Sequence, residues 1–203
     1  MYAFTYFCKM IYTIKQNKII DASIELIAEK SIQEFTIKNL AQKLGVTEGA
    51  IYRHFTGKIE ILLGILKNFQ EECKPTLKIA CSSEISALAD MENIFKHHFN
   101  YFAGKPAVSA VIFSESIFQN DSLLSIEVYK LLKMHEDSLT CIIKRGQENG
   151  EIKLNNIKIE QIVKIIIGSI RYTVTKWRLS NYKFDIKSEG KILLESLQEL
   201  LKA

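Results

Sequence analysis

The sequence predicts an all-α fold of about nine helices, and three observations carry that expectation. Only two prolines (Pro75, Pro106) and nine glycines punctuate 203 residues, leaving long stretches in which helices can run. Ile, Leu, Lys and Glu recur at helical spacing nearly throughout. A composition of 47% apolar and 25% charged residues describes an ordinary core under a solvated surface.

The opening "MYAFTYFCKMIYT" is apolar but lacks a positively charged start and a small-residue cleavage site, and Lys9 interrupts it. Residues 1–12 are therefore read as a leader, disordered or preceding a true start at Met10, with a packed helix extension or a DNA-reaching arm as alternatives. From Thr13 to Lys30, Ile20, Ile24, Ile27 and Ala28 share one face and Lys18, Asp21, Glu25 and Glu29 the other, an amphipathic helix. Thr36 is placed to cap a second helix, Ile37 to Leu44, with Ile37, Leu40, Ala41 and Leu44 at i, i+3, i+4 and i+7. Gly45 supplies a turn, and Thr47 caps a third helix, Glu48 to His54, with Ile51 and Phe55 inward. Helices of two turns do not hold themselves in water, so the three must share one core. The small Ala41 permits a close crossing. Such a helix-turn-helix presents the start of its last helix outward, as entry into a DNA major groove requires.

Beyond Gly57 the predicted helices lengthen: Lys58 to about Lys74, stopped at Pro75; Ser83 to Ala103, stopped before Gly104 and Pro106; Ala107 to Phe118; Ser122 to Asn149; Ile159 to about Leu179; and Lys187 to Lys202. The change of scale puts the domain boundary there, with residues 13–57 as the DNA-binding domain and 58–203 as a larger helical one.

The stretch "IIDASIELIAEKSIQEFTIKNLAQKLGVTEGAIYRHFTGKIEILLGIL", Ile19 to Leu66, resembles the DNA-binding domain of the TetR/AcrR family of bacterial transcriptional regulators, most specifically in "TIKNLAQKLGVTEGAIYRHFTGK". The resemblance implies a homodimer that binds double-stranded DNA at a palindromic operator and a small hydrophobic effector held in the C-terminal domain. It also implies DNA-facing residues. Thr36 and Thr47 stand at helix starts, where backbone N–H groups and a hydroxyl hold phosphate oxygens. Either would also cap its helix without DNA. Tyr52 and His54 match the family's aromatic-x-His pair, Tyr52 for phosphate or a thymine methyl and His54 for phosphate; packing beside Ile51 and a structural histidine are their alternatives. Lys58 resembles the family's phosphate-holding lysine, and Lys38 and Arg53 suit phosphate or guanine edges. Glu48 departs from the usual basic or neutral residue; we read it as favouring the positive helix N-terminus rather than a cytosine amino group. Gly49 and Ala50 let the backbone approach the bases.

Met1 to Glu60 holds eight basic and six acidic residues, so one domain alone is expected to bind weakly. A dimer is also expected from the C-terminal pattern. The isoleucines between Ile159 and Ile170 spread over more than one helix face, and Ile162, Ile166, Ser169 and Ile170 with Leu193, Leu197 and Leu200 are the expected interface. Two-fold symmetry would set recognition helices about 34–36 Å apart or a multiple of that. The effector pocket is expected among Phe95, His98, Phe99, Phe102, Phe113, Ser116, Tyr129, His135, Tyr172 and Trp177, aromatic walls with a few polar groups. The phrases "VIFSESIF" and "KWRLSNYKFD" are similar to family members that respond to fatty acyl compounds; drug-like and aromatic ligands stand as alternatives.

Cys8, Cys73, Cys81 and Cys141 form no CxxC pair, which suits reduced thiols and a cytoplasmic location. No cofactor or metal is expected: Cys73, Cys81, His97 and His98 are suitable ligand types, but adjacent histidines project to different sides of a helix. No nucleophile elbow, HExxH or phosphate-binding glycine loop points to an enzyme. No apolar run reaches the roughly 18 residues of a bilayer span, and "IVKIIIGSI" contains Lys164. A ligand-independent DNA-binding or DNA-organising protein of the same fold is the alternative function.

Overall fold

The computed structural model describes residues 11–82, 84–114, 118 and 121–202. Among the described residues the helices are α1 (Ile14–Lys30), α2 (Ile37–Leu44), α3 (Glu48–Tyr52), α4 (Lys58–Ser82), α5 (Ala87–Gly104), α6 (Pro106–Ile112), α7 (Ser122–Glu148), α8 (Ile159–Leu179) and α9 (Ile186–Leu201). The chain divides into two compact units, residues up to Glu72 and residues from Cys73 onward. The sequence placed that break at Gly57; the division instead falls inside α4, which contributes its first half to one unit and its second half to the other.

In the N-terminal unit Thr13 begins α1 with a reciprocal cap, its hydroxyl accepting from Gln16 N–H while the Gln16 side chain accepts from Thr13 N–H. Ile20, Leu26, Phe35, Leu40, Ile51, Phe55, Ile61 and Leu62 are buried to 2% exposure or less and form one core shared by all four helices. The Tyr12 ring lies 6.0 Å from that of Phe55, so the last residue assigned to the leader packs on the domain; residues 1–10 lie outside the described residues. Gly45 adopts φ +65°, and Val46 N–H reaches back to the Ala41 carbonyl at 3.0 Å, closing α2 in a Schellman turn. Gly64 lets α4 approach α1, because a methyl there would come within 2.9 Å of Ile20 Cδ1.

In the C-terminal unit α5 packs on α7 and α9, α8 on α7 and α9, and α6 on α5 and α8. The helix expected to stop at Pro75 continues to Ser82. Proline removes one backbone donor from a helix interior. Burial of Cys73, Leu77 and Ala80 along one face, the Ser138 hydroxyl donating to the Leu77 carbonyl at 3.0 Å and Arg145 donating to the Ala80 carbonyl at 2.9 Å hold the turns beyond it. Pro106 opens α6 at its first position, where the missing N–H costs nothing, and that helix ends at Ile112, short of the expected Phe118. Arg145 also pairs with Asp90, which is 1% exposed, so one guanidinium ties α7 to α4 and α5. Gly190 is where α9 meets α5 most closely: a methyl there would fall 2.3 Å from a ring carbon of Phe99.

Candidate functional site

The short α3 helix is set by two inward residues and a cap. Ile51 and Phe55 are buried, and the Thr47 hydroxyl accepts from Ala50 N–H at 3.3 Å, so α3 is anchored on one side and its N-terminus is fixed. Thr47, Glu48, Gly49, Tyr52 and Arg53 are exposed on the other side, Tyr52 by 51%, and Ala50 and His54 are half-buried. Tyr52 therefore stands out from the core rather than packing into it beside Ile51. The α3 helix itself ends at Tyr52, two residues earlier than expected, with Arg53 as its C-cap. Thr36 and Lys38 are exposed at the start of α2, where the Thr36 hydroxyl accepts from Asn39 N–H at 3.1 Å. These groups form an exposed polar surface at two helix starts, a placement that phosphate recognition uses.

Lys58 differs from its neighbours. Its ammonium donates to the Ile32 carbonyl at 3.2 Å and lies 5.4 Å from the centre of the Phe35 ring, and partial burial lowers its pKa from the ordinary lysine value. Its helix start is held by Glu60, whose carboxylate accepts from the Thr56 N–H and hydroxyl at 2.5 and 2.8 Å; the backbone bond is the main cause of its lowered pKa. Lys58 thus has a structural task in addition to the phosphate contact expected of it. Lys43 is also occupied, pairing with Glu29 and Glu25 at 2.9 and 3.3 Å.

Sequence reasoning missed one part of this surface. Thr13, Ile14, Lys15 and Gln16 line an open cleft with Arg53 and His54, and Gln16 donates to the His54 carbonyl at 3.3 Å. The start of α1, with exposed Lys15, therefore borders the end of α3. The T-x-x-Q capping pattern at Thr13 to Gln16 was the available signal.

The expected pocket residues do not form one cluster. Phe95, Phe99 and Phe102 are buried, with Phe95 and Phe99 rings 6.0 Å apart and Phe102 5.4 Å from half-buried Phe113. Trp177 is buried but serves the turn after α8, donating to the Phe184 carbonyl at 2.9 Å with its ring against Tyr182. Tyr129 and Tyr172 are each 69% exposed, on α7 and α8, and do not join the buried cluster; helical spacing marked them as apolar-face residues, whereas they point to solvent in the chain. Ser116 lies outside the described residues. An open cleft beside the cluster is lined by Phe95, Phe99 and Leu194 with Lys96, Lys187 and Lys191 at its rim.

His98 and His135 come together, their Nε2 atoms 2.8 Å apart, and Cys73 Sγ lies 3.9 Å from His98 Nε2. Burial, with the neighbouring His135 adding to it, pushes His98 down to about 3, and burial likewise lowers His135. Of the metal-ligand types considered from sequence, Cys73 and His98 meet, and the third member is His135 from α7 rather than Cys81 or His97.

The expected dimer residues are shifted around their helices. Ile162, Ile166, Ile170 and Leu197 are buried in the chain's own core, Ile166 completely. Ser169 and Leu193 are half-buried and Leu200 is 73% exposed. The face left outward on α8 and α9 carries Ile165, Gly168, Tyr172, Ile192 and Ser196 around Ser169 and Leu193, an open, mainly apolar groove. Continuous isoleucine around α8 concealed which stripe met the core.

Among the described residues no helix is long and apolar enough to cross a membrane. Residues 19–65 match the family model of the tetR family of bacterial regulatory proteins, and residues 66–201 match the C-terminal region of YsiA-like proteins. The chain is 27% identical over 183 residues to the fatty acid metabolism regulator protein of Bacillus subtilis, covering 90% of this chain and 93% of that one. It superposes on the B. subtilis transcriptional regulator FadR in complex with stearoyl-CoA with a TM-score of 0.78 at 26% identity, over 93% and 99% of the two chains. It is also 21% identical to the nucleoid occlusion factor SlmA of Alteromonas mediterranea over 84% of each. The outward recognition helix, the helical second unit and matches that span nearly the whole sequence together place this chain in the tetR family of bacterial regulatory proteins, as a DNA-binding transcriptional regulator and not an enzyme.

Proposed function

We propose that the protein is a homodimeric repressor released from a palindromic operator by a long-chain fatty acyl compound. The observation that carries the DNA-binding half is α3, held by Ile51 and Phe55 and offering Thr47, Gly49, Tyr52 and Arg53 outward. With a net charge of only +2 up to Glu60, one unit has little electrostatic hold on DNA. A second copy doubles that hold. The outward groove of α8 and α9, with Ile165 and Ile192 at least half exposed and Gly168 between them, supports a second copy seated there. This interface replaces the stripe through Ile162, Ile166, Ile170 and Leu197.

The acyl class is favoured by the FadR complex with stearoyl-CoA and by the cleft beside Phe95 and Phe99, where an apolar floor meets Lys187 together with Lys96 and Lys191, which pair with Glu92 and Glu195. An apolar tail with an anionic head suits such a lining. Release follows only if the ligand binds the DNA-free conformation more tightly than the DNA-bound one; a coupling of about 1–3 kcal/mol gives roughly 5–150-fold weaker operator binding. Because α4 is common to both units, it is the continuous element along which ligand-driven change reaches the N-terminal unit. Titrating stearoyl-CoA into a labelled protein–operator complex is expected to release the DNA, with free coenzyme A as the control. Unchanged affinity at saturating acyl-CoA would reject this effector class. The likeness to SlmA supports a second reading, a DNA-organising protein, for which DNA affinity would be indifferent to such ligands.

A further inference from the structure

Three helices of the C-terminal unit bring Cys73 (α4), His98 (α5) and His135 (α7) together, with their ligating atoms all within 4.8 Å of one another. The hydrogen bonds on the far side of each imidazole fix what faces inward. His98 Nδ1 lies 2.9 Å from the Ile94 carbonyl and His135 Nδ1 lies 2.7 Å from the Leu131 carbonyl. A carbonyl oxygen only accepts, so each Nδ1 carries its ring's proton and each neutral ring presents a lone pair at Nε2. Those two lone pairs face each other at 2.8 Å. Along the line from one carbonyl to the other, three gaps call for three positive centres and two neutral imidazoles supply two. The Cys73 thiol lies 3.9 Å from His98 Nε2, and a cation held between the two rings and this sulfur would meet both lone pairs.

We propose that Cys73 Sγ, His98 Nε2 and His135 Nε2 form a binding site for a borderline-soft divalent transition-metal ion, zinc in the first instance. Nitrogen and thiolate ligands of this kind select such ions over magnesium or calcium. Metal–nitrogen bonds of about 2.0–2.1 Å and a metal–sulfur bond of about 2.3 Å in a tetrahedron set N···N near ~3.3 Å and N···S near ~3.6 Å. The corresponding separations here are 2.8 Å and, from His98 to Cys73, 3.9 Å. The third edge, His135 to Cys73, is within 4.8 Å and would have to shorten on binding. The two Nδ1–H to carbonyl bonds are the outer-shell contacts that orient metal-bound histidines. Binding converts the Cys73 thiol to a metal thiolate and releases its proton to solvent, and the fourth position stays open to water or a ligand. The site does not depend on which effector or operator the protein uses.

The test is titration of cobalt(II) into the reduced, chelator-stripped full chain. One equivalent is expected to give a sulfur-to-cobalt charge-transfer band and tetrahedral d–d bands, both bleached by zinc. Cys73→Ser should remove the charge-transfer band while the far-ultraviolet helical signal stays unchanged. His135→Gln, at a half-buried position, should weaken cobalt binding by about tenfold or more and provides the test if Cys73→Ser does not fold. Cys141→Ser should leave the spectrum as it was. No charge-transfer band in the full chain, a band that survives Cys73→Ser, or one that is lost in Cys141→Ser would overturn the site. So would nitrogen NMR showing an imidazolium or thiolate–imidazolium pair that zinc does not change.

Discussion

At the scale of single residues, the side chains proposed to face DNA separate by what else they do. Arg53 is exposed at the end of α3 and has open space on the cleft it shares with Lys15. If it reads a guanine edge, Arg53→Ala relaxes preference at one base pair by about 1–3 kcal/mol and leaves binding to random DNA nearly unchanged, as competition binding on single-base operator variants would show. Equal loss on both DNAs assigns it to phosphate. Lys58 has a different signature because it also braces Ile32 and Phe35. Lys58→Ala is expected to weaken specific and random DNA alike, to reduce the slope of log K against log salt by about 0.9 for each phosphate no longer neutralised, and to lower the unfolding midpoint as well. A salt slope equal to that of the parent protein would leave Lys58 with the bracing task alone.

At the scale of elements, stability rests on close approaches that the sequence conceals. Gly190→Ala forces a methyl into the Phe99 ring, and overpacking of this kind costs about 1–3 kcal/mol, measurable by denaturant unfolding; a neutral effect would mean that α5 and α9 separate readily. Arg145→Ala leaves the Asp90 carboxylate buried without its guanidinium, an expected loss of about 3–5 kcal/mol. Replacing both partners with apolar residues of similar size should restore much of it, since the penalty is that of one uncompensated charge. Some elements were legible because their signals are local: Thr36 and Thr47 announce helix starts, Gly45 a left-handed turn, and Ile159 to Leu179 is one helix in both reading and structure. Others were set by tertiary contacts with no trace in a single segment. Pro75 reads as a stop, yet Ser138 and Arg145, more than 60 residues away, hold the turns around it. The outward stripe of α8 was ambiguous because isoleucine occupies most of its faces. The sequence grouped His135 with His98 as pocket residues and Cys73 with His98 as ligand types, but no local signal joined all three, which lie on different helices.

At the scale of the whole molecule, the proposed function requires a second copy. The groove through Ile165, Tyr172 and Ile192 predicts that Ile192→Glu shifts the protein from dimer to monomer in sedimentation while its helical content is retained. A dimer unaffected by that change would move the interface elsewhere. DNA affinity should fall when dimerisation is lost, because the N-terminal unit alone has too little positive charge to compensate. The most direct measurement is selection of bound sequences from random duplex DNA by the purified protein at a fixed salt concentration. A dimeric regulator selects a palindrome whose half-site centres lie about 34–36 Å, one helical turn, or a multiple of that apart. Enrichment of no site, or of an isolated half-site without its symmetry mate, would contradict it.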